Sequence, residues 1–242
     1  MIQFNIITLF PEMFKSPFEA SILKRAQENG LIKIALYNLR DYCKDKHRVT
    51  DDAPYGGGAG MVMKPEPLIS AIEGVNSSQP GVRTMLMTPQ GKRFAQDDAG
   101  RLSRYSSLTL VCGRYEGVDE RVRRFVDEEV SIGDYILTGG EFASMVIIDA
   151  ISRMIPDVLG DAASLDDESF NQTLLEAPHY TRPRVYRGME VPEVLLSGNH
   201  SEIERWKRRQ ALKRTQERRP DLLSNASLSD EDMKYLKESN NC

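Results

Sequence analysis

Two short apolar runs, residues 108–112 and 130–132, each end directly at a glycine, Gly113 and Gly133. A third run, Met85-Leu86-Met87, leads into Thr88-Pro89-Gln90-Gly91. Helical patterns follow the glycine turns. Strands that end in this way place backbone N–H and C=O groups at the strand ends, where open α/β sheets bind ligands. Three such loops can converge on one pocket, and function is sought there first.

The rest of the chain fits that scheme. Residues 2–9 read as a buried strand ending at Pro11, and 11–29 as a helix with Gly30 at the C′ position. Residues 31–39 form a second strand, and the polar stretch 40–55 runs into Gly56-Gly57-Gly58-Ala59-Gly60. Short helices are expected over 65–74, 94–103 and 120–127. A strand is expected over 82–87 and a long apolar helix over 141–154. Strands alternating with helices imply an α/β fold built on a largely parallel sheet. From Asp157 the character changes. The stretch to Asn171 is acidic and rich in small residues, as a linker or loop would be. Beyond Pro178 the pattern is helical, with Ser201-Glu202-Ile203-Glu204 as a capping box and Pro220 as the stop. A further helix covers 229–238. The expected organisation is an α/β domain over 1–160, an acidic flexible linker over 161–175 and a small all-α domain over 176–242.

Several function classes are excluded by composition. The longest apolar run, 142–148, stops at Asp149 and is too short to span a bilayer. The first residues lack a basic segment followed by an apolar one, so no secretory signal is expected. Cys43, Cys112 and Cys242 are odd in number and lack C-x-x-C spacing, while His47, His179 and His200 lie far apart. A disulfide framework or zinc site is therefore not expected, and the default compartment is a reducing cytoplasm.

A net charge of −4 argues against a general nucleic-acid binder, but it hides an asymmetry. Residues 157–177 carry Asp157, Asp161, Asp166, Asp167, Glu168 and Glu176 with no Lys or Arg. Residues 205–219 carry Arg205, Lys207, Arg208, Arg209, Lys213, Arg214, Arg218 and Arg219 against Glu217 alone. Charge blocks of this kind mark interaction surfaces more often than fold determinants.

The glycine run 56–60 contains G-x-G-x-G, but a dinucleotide-binding loop needs an apolar strand just before it. Here Thr50-Asp51-Asp52-Ala53-Pro54-Tyr55 precedes it. A loop that closes on a ligand and a plain tight turn both remain open. No P-loop motif occurs.

Longer motifs are more specific. Residues 113–121 (GRYEGVDER), 132–141 (IGDYILTGGE), Thr181-Arg182-Pro183 and 195–200 (LLSGNH) together resemble the bacterial tRNA (guanine-N1)-methyltransferases of the SPOUT superfamily. The resemblance runs from Ile7-Thr8-Leu9-Phe10-Pro11 to about Leu223. It implies an α/β domain with a deep trefoil knot, a rare exception to un-knotted topology. It also implies S-adenosylmethionine held by loop backbone and a homodimer whose active sites are shared between chains. The positions matching the cofactor site are Leu86, Met87, Thr88, Pro89, Gly113, Glu116, Ile132, Gly133, Asp134, Tyr135, Ile136 and Leu137. Gly139 and Gly140 fit the same role, since glycine lets main chain approach closely.

The reaction implied is methyl transfer to N1 of guanosine at position 37 of tRNA, beside the anticodon. A base must remove the N1 proton, and an arginine must stabilise the charge developing toward O6. Arg153 matches the family's arginine. Read from the residues alone, it is a helix C-terminal arginine complementing the dipole. The family's base lies in Asp-Ser-Phe. This chain departs there and has Asp167-Glu168-Ser169-Phe170, so Glu168 takes the position and Asp167 is the alternative after a one-residue shift. The resemblance further implies a divalent ion, usually magnesium, whose ligands the sequence does not assign.

The basic helix suits phosphate contacts from Arg205, Arg208 and Arg209. Trp206 stacks on a base or, with Ile203, packs in the small domain's core. His179 and Arg182 are further candidates for RNA contact. The alternatives to this enzyme are a non-catalytic RNA-binding module and a knotted methyltransferase acting on a ribose hydroxyl.

Overall fold

The structure is a computed structural model that describes residues 1–160, 168–170 and 173–239. The chain divides into two compact units, residues 1–160 and 161–242.

The first unit is built on five parallel strands: β1 (Ile2–Thr8), β2 (Ile32–Asn38), β5 (Arg83–Arg93), β6 (Ser107–Cys112) and β7 (Glu128–Ser131). Their order is β2-β1-β6-β5-β7. Phe4 lies opposite Leu108 and Ile6 opposite Leu110, so the apolar positions of neighbouring strands share a face. Helices α1 (Lys15–Phe18), α2 (Ser21–Glu28), α4 (Gln96–Leu102) and α5 (Glu141–Arg153) cover that face. Phe14, Leu23, Leu102, Ile147, Ile148 and Ile151 pack there on Phe4, Ile6, Met85 and Leu110. On the other face α3 (Pro65–Asn76) packs Leu68, Ile72 and Val75 against Ile7, Leu86 and Val111. Every residue of β6 is buried, as a central parallel strand covered on both faces requires. Polar groups along the early part of the strands are paired. Asn5 donates to Gln79 (2.8 Å) and Ser107 (3.1 Å), and Thr109 donates to Asn76 (2.8 Å).

Several sequence expectations need correction. The single helix over 11–29 is a 3-10 turn (Pro11–Phe14) followed by α1 and α2. Pro17 inside α1 and the left-handed φ of +50° at Ser21 break it. Its end is as read: Gly30 has φ +68°, and the N–H groups of Gly30 and Leu31 donate to the carbonyls of Gln27 and Ala26 in a Schellman motif. Residues 120–127 form a 3-10 turn (Glu120–Phe125) rather than an α-helix. Strand β5 runs on to Arg93 across a bulge between Met87 and Lys92, where Pro89 and Gly91 read as a turn. The glycine run 56–60 tips a small antiparallel hairpin of β3 (Asp51–Asp52) and β4 (Val62–Met63). No strand feeds it in the dinucleotide-binding manner.

The second unit is not all-α. Among the described residues it contains a two-residue hairpin, β8 (Val185–Tyr186) and β9 (Met189–Glu190). Its described helices are α6 (His200–Arg218), α7 (Pro220–Leu223) and α8 (Asp230–Ser239). The N-cap of α6 is Asn199, whose side chain accepts from the Glu202 N–H (3.4 Å), two residues before the expected capping box. Pro220 does end α6. Most of the acidic stretch expected as a linker, including Asp161, Asp166 and Asp167, lies outside the described residues. No helix among the described residues is long and apolar enough to cross a membrane.

Candidate active site

Strands β5, β6 and β7 run in parallel, so their C-terminal ends and the loops that follow lie side by side. The β6 loop turns back through Gly117, where φ is +123°, and the β7 loop leaves through Gly133, where φ is +150°. The two loops join through main chain: the Gly140 N–H donates to the Gly113 carbonyl at 2.9 Å. A Cβ on Gly140 would lie 2.8 Å from Cys112 Cα and from Met87 Cβ, and 3.1 Å from Gly113 N. Only glycine permits that approach of the start of α5 to the ends of β5 and β6. Cys112 itself is buried below the loops, and burial pushes its thiol pKa well up.

The loops enclose a cleft of about 490 Å³. Of the positions singled out in the sequence, Leu86, Met87, Thr88, Pro89, Gly113, Glu116, Ile132, Gly133, Tyr135, Ile136, Leu137, Gly139 and Gly140 line it. Asp134 does not. Its carboxylate is 90% exposed, with Arg93 Nη1 at 3.7 Å. The chain bends through this segment, the Tyr135 N–H donating to the Gly133 carbonyl at 3.0 Å, so a run of six matched residues does not all face one way.

The structure adds residues that the sequence reading did not single out. Gln90, Arg114, Glu120, Arg123 and Thr138 also line the cleft. The hairpin packs onto the β6 loop: Glu116 N–H donates to Met61 O and Met63 N–H to Gly117 O, both at 3.0 Å. Gly60 lies against the Glu116 side chain so closely that a Cβ would collide with it. The glycine run is therefore a tight turn that braces a wall of the cleft. Such contacts join segments about 50 residues apart and leave no local sequence signal.

Arg153 is the last residue of α5 and is half-buried. Glu168 belongs to the second unit and is also half-buried. It borders a cavity of about 480 Å³ together with His179, Tyr180, Lys207 and Arg208. Asp167 lies outside the described residues.

On α6 the basic block is partly neutralised. Arg208 pairs with the buried Asp232 (2.9 Å), Lys207 with Glu204 (3.0 Å), and Arg205 and Arg209 with Glu231 (3.7 and 3.5 Å). Among the described residues Arg214 and Arg218 have no carboxylate partner. Trp206 is half-buried, its ring 6.4 Å from that of Tyr180, and Ile203 is likewise half-buried. His179 is exposed beside Glu176 (3.4 Å), and Arg182 is exposed.

A family model described as "tRNA (Guanine-1)-methyltransferase TrmD" matches residues 2–225. The chain belongs to this family. Curated relatives agree along nearly their whole length. A protein of Pelotomaculum thermopropionicum named tRNA (guanine-N(1)-)-methyltransferase is 58% identical over 98% of this chain and 96% of its own. Relatives of the same name from Dictyoglomus turgidum and Geobacter sulfurreducens are 55% and 57% identical, over 98% and 97% of this chain and 96% of each relative. The converging glycine loops lie within the residues that the family model matches.

Proposed function

We propose that the cleft binds S-adenosylmethionine and that the protein methylates N1 of guanosine 37 in tRNA. The observation that carries the cofactor reading is the approach of Gly113, Gly140 and Met87. It leaves a cleft floored by main chain, the kind of surface whose N–H and C=O groups recognise an adenine. The volume, the mixed polar and apolar lining and the carboxylate of Glu116 suit an adenosine that carries a cationic amino-acid arm. The chain would be threaded through a trefoil knot, as in other SPOUT proteins. The close crossing of the β6 and β7 loops supports that reading.

When bound, S-adenosylmethionine supplies an electrophilic methyl group and leaves as S-adenosylhomocysteine. The protein's own groups do the rest. N1 of guanine carries a proton and is a poor nucleophile until Glu168 removes it. Glutamate has an intrinsic acidity similar to that of the family's aspartate but reaches one methylene further. As the proton leaves, charge shifts to O6, where the guanidinium of Arg153 stabilises it. The protein acts as a homodimer, with Arg153 and Glu168 of one site coming from different chains, and works in the cytoplasm. The second unit binds tRNA, with Arg214 and Arg218 available for phosphates.

Among the described residues no set of three or more His, Cys, Asp or Glu side chains is placed to hold a metal ion.

The test is methyl incorporation from labelled S-adenosylmethionine into tRNA, alongside calorimetric titration with S-adenosylhomocysteine. Wild type binds the nucleoside and labels tRNA. Glu168→Gln keeps the affinity and loses about 10²–10⁴ in kcat. Binding without transfer in the wild type would remove the catalytic reading.

A further inference from the structure

One guanidinium in the cleft is aimed at another cleft residue. Arg123 lies on the Glu120–Phe125 turn with its side chain 19% exposed. Its Nη1 pairs with the Glu129 carboxylate on β7, and its Nη2 donates to Gln90 Oε1 at 2.7 Å. Glu120 Oε2 is 2.8 Å from Nε but off the N–H direction, so Nε is buried without a hydrogen bond.

Gln90 sits at the bulge of β5. Beside it Gly91 presses on the main chain of Glu129 and Val130 so tightly that a Cβ would collide, which fixes the backbone under Gln90. The Gln90 side chain is exposed, and among the described residues Arg123 is its hydrogen-bond partner. A guanidinium carries donors only, so the amide oxygen must turn toward it and the NH2 end is left as a donor. Both residues line the cleft.

We propose that Arg123 is a positioning residue that holds Gln90 so that its amide NH2 donates to an acceptor oxygen of the bound cofactor. This rests on the reading of the cleft given above. A free glutamine explores several rotamers and both amide orientations. Fixing one before the ligand arrives removes that ordering cost from binding. The cofactor offers two kinds of acceptor oxygen, the sugar hydroxyls and the amino-acid carboxylate.

The experiment is a double-mutant cycle read by calorimetric titration of the full-length protein with S-adenosylhomocysteine. Arg123→Met weakens binding roughly three- to tenfold, and Gln90→Met weakens it at least as much. The double variant binds no more weakly than Gln90→Met alone, because Arg123 acts through Gln90. Any cost of leaving Glu129 unpaired is common to both backgrounds and cancels in the cycle, and thermal unfolding shows that each variant is folded. Methylthioadenosine, which lacks the carboxylate, feels Arg123→Met if the acceptor is a sugar hydroxyl and does not if it is the carboxylate. An Arg123→Met effect of equal size in both backgrounds, or none at all, overturns the proposal. Absence of binding by the wild type overturns the reading of the cleft and this inference with it.

Discussion

Arg114 and Glu141 tie the loop after β6 to the first turn of α5 through a buried ion pair, Nε to Oε2 at 3.1 Å with Glu141 1% exposed. The second carboxylate oxygen accepts from the Thr8 hydroxyl (2.9 Å), which itself accepts from the Phe10 N–H (3.0 Å). The Phe10 ring lies 4.4 Å from the guanidinium. One acid thus fastens the ends of β1 and β6 and the start of α5. Removing Arg114 leaves a buried carboxylate without its counter-ion, so Arg114→Met costs about 3–5 kcal/mol. The double variant Arg114→Met/Glu141→Gln costs less than the sum of the two singles. Urea unfolding of the three variants checks both statements.

Gly140→Ala places a methyl group 2.8 Å from Cys112 Cα, a backbone atom of the central strand. The strand is buried on both faces and has no room to retreat, so the loops must part. The expected result is a loss of about 1–3 kcal/mol in stability. Loss of S-adenosylhomocysteine binding accompanies it, seen by calorimetry on the folded variant.

Much of this was legible in the sequence, and the limits are physical. The central strands declare themselves because an apolar run closed by glycine has few other uses, and the loops after them contain nearly all of the cleft lining. Gly30 marks a helix end through its positive φ alone. What failed was tertiary. The continuation of β5 past Pro89 depends on pairing with β7, and the break at Ser21 on a backbone conformation that serine seldom adopts. Arg114, Gln90 and Arg123 carry no pattern of their own, since their partners come from other strands. The Asn199 cap and the β8–β9 hairpin were hidden because 178–199 is rich in residues that serve caps, turns and helices alike.

Two partly buried carboxylates contribute to the acid sensitivity of the first unit. Glu128 accepts from Arg101 (2.7 Å) and Arg83 (2.7 Å), and hydrogen bonding to Arg101 above all holds its pKa below the ordinary 4.5. Burial pushes the Asp98 carboxyl up, but Lys92 and Arg101 outweigh it and the net shift is downward. Both folded-state values lie below the unfolded ones. Their contribution is present above the unfolded pKa values, near 4, and is lost as pH falls through the lower folded values. The urea midpoint therefore declines below about pH 4. Glu128→Gln makes that decline shallower while lowering the midpoint at neutral pH.

If Arg153 and Glu168 of each site come from different chains, two inactive variants complement each other. A C2 dimer of one Arg153→Ala chain and one Glu168→Ala chain has one intact site and one doubly defective site. Random mixing makes half the dimers mixed, so about one quarter of wild-type activity returns. Each variant alone stays inactive. No recovery on mixing, with mixed dimers demonstrated by mass, places both residues of a site on one chain.

The central claim is methylation of guanine N1, and one measurement reaches it directly. Purified protein is given S-adenosylmethionine and either of two tRNA transcripts, one with guanosine and one with adenosine at position 37, and the modified nucleoside is identified by mass spectrometry after digestion. The account predicts 1-methylguanosine at position 37 of the first transcript and no methyl group on the second. Methyl on a ribose hydroxyl, on another base of both transcripts, or on neither despite tight cofactor binding would contradict it.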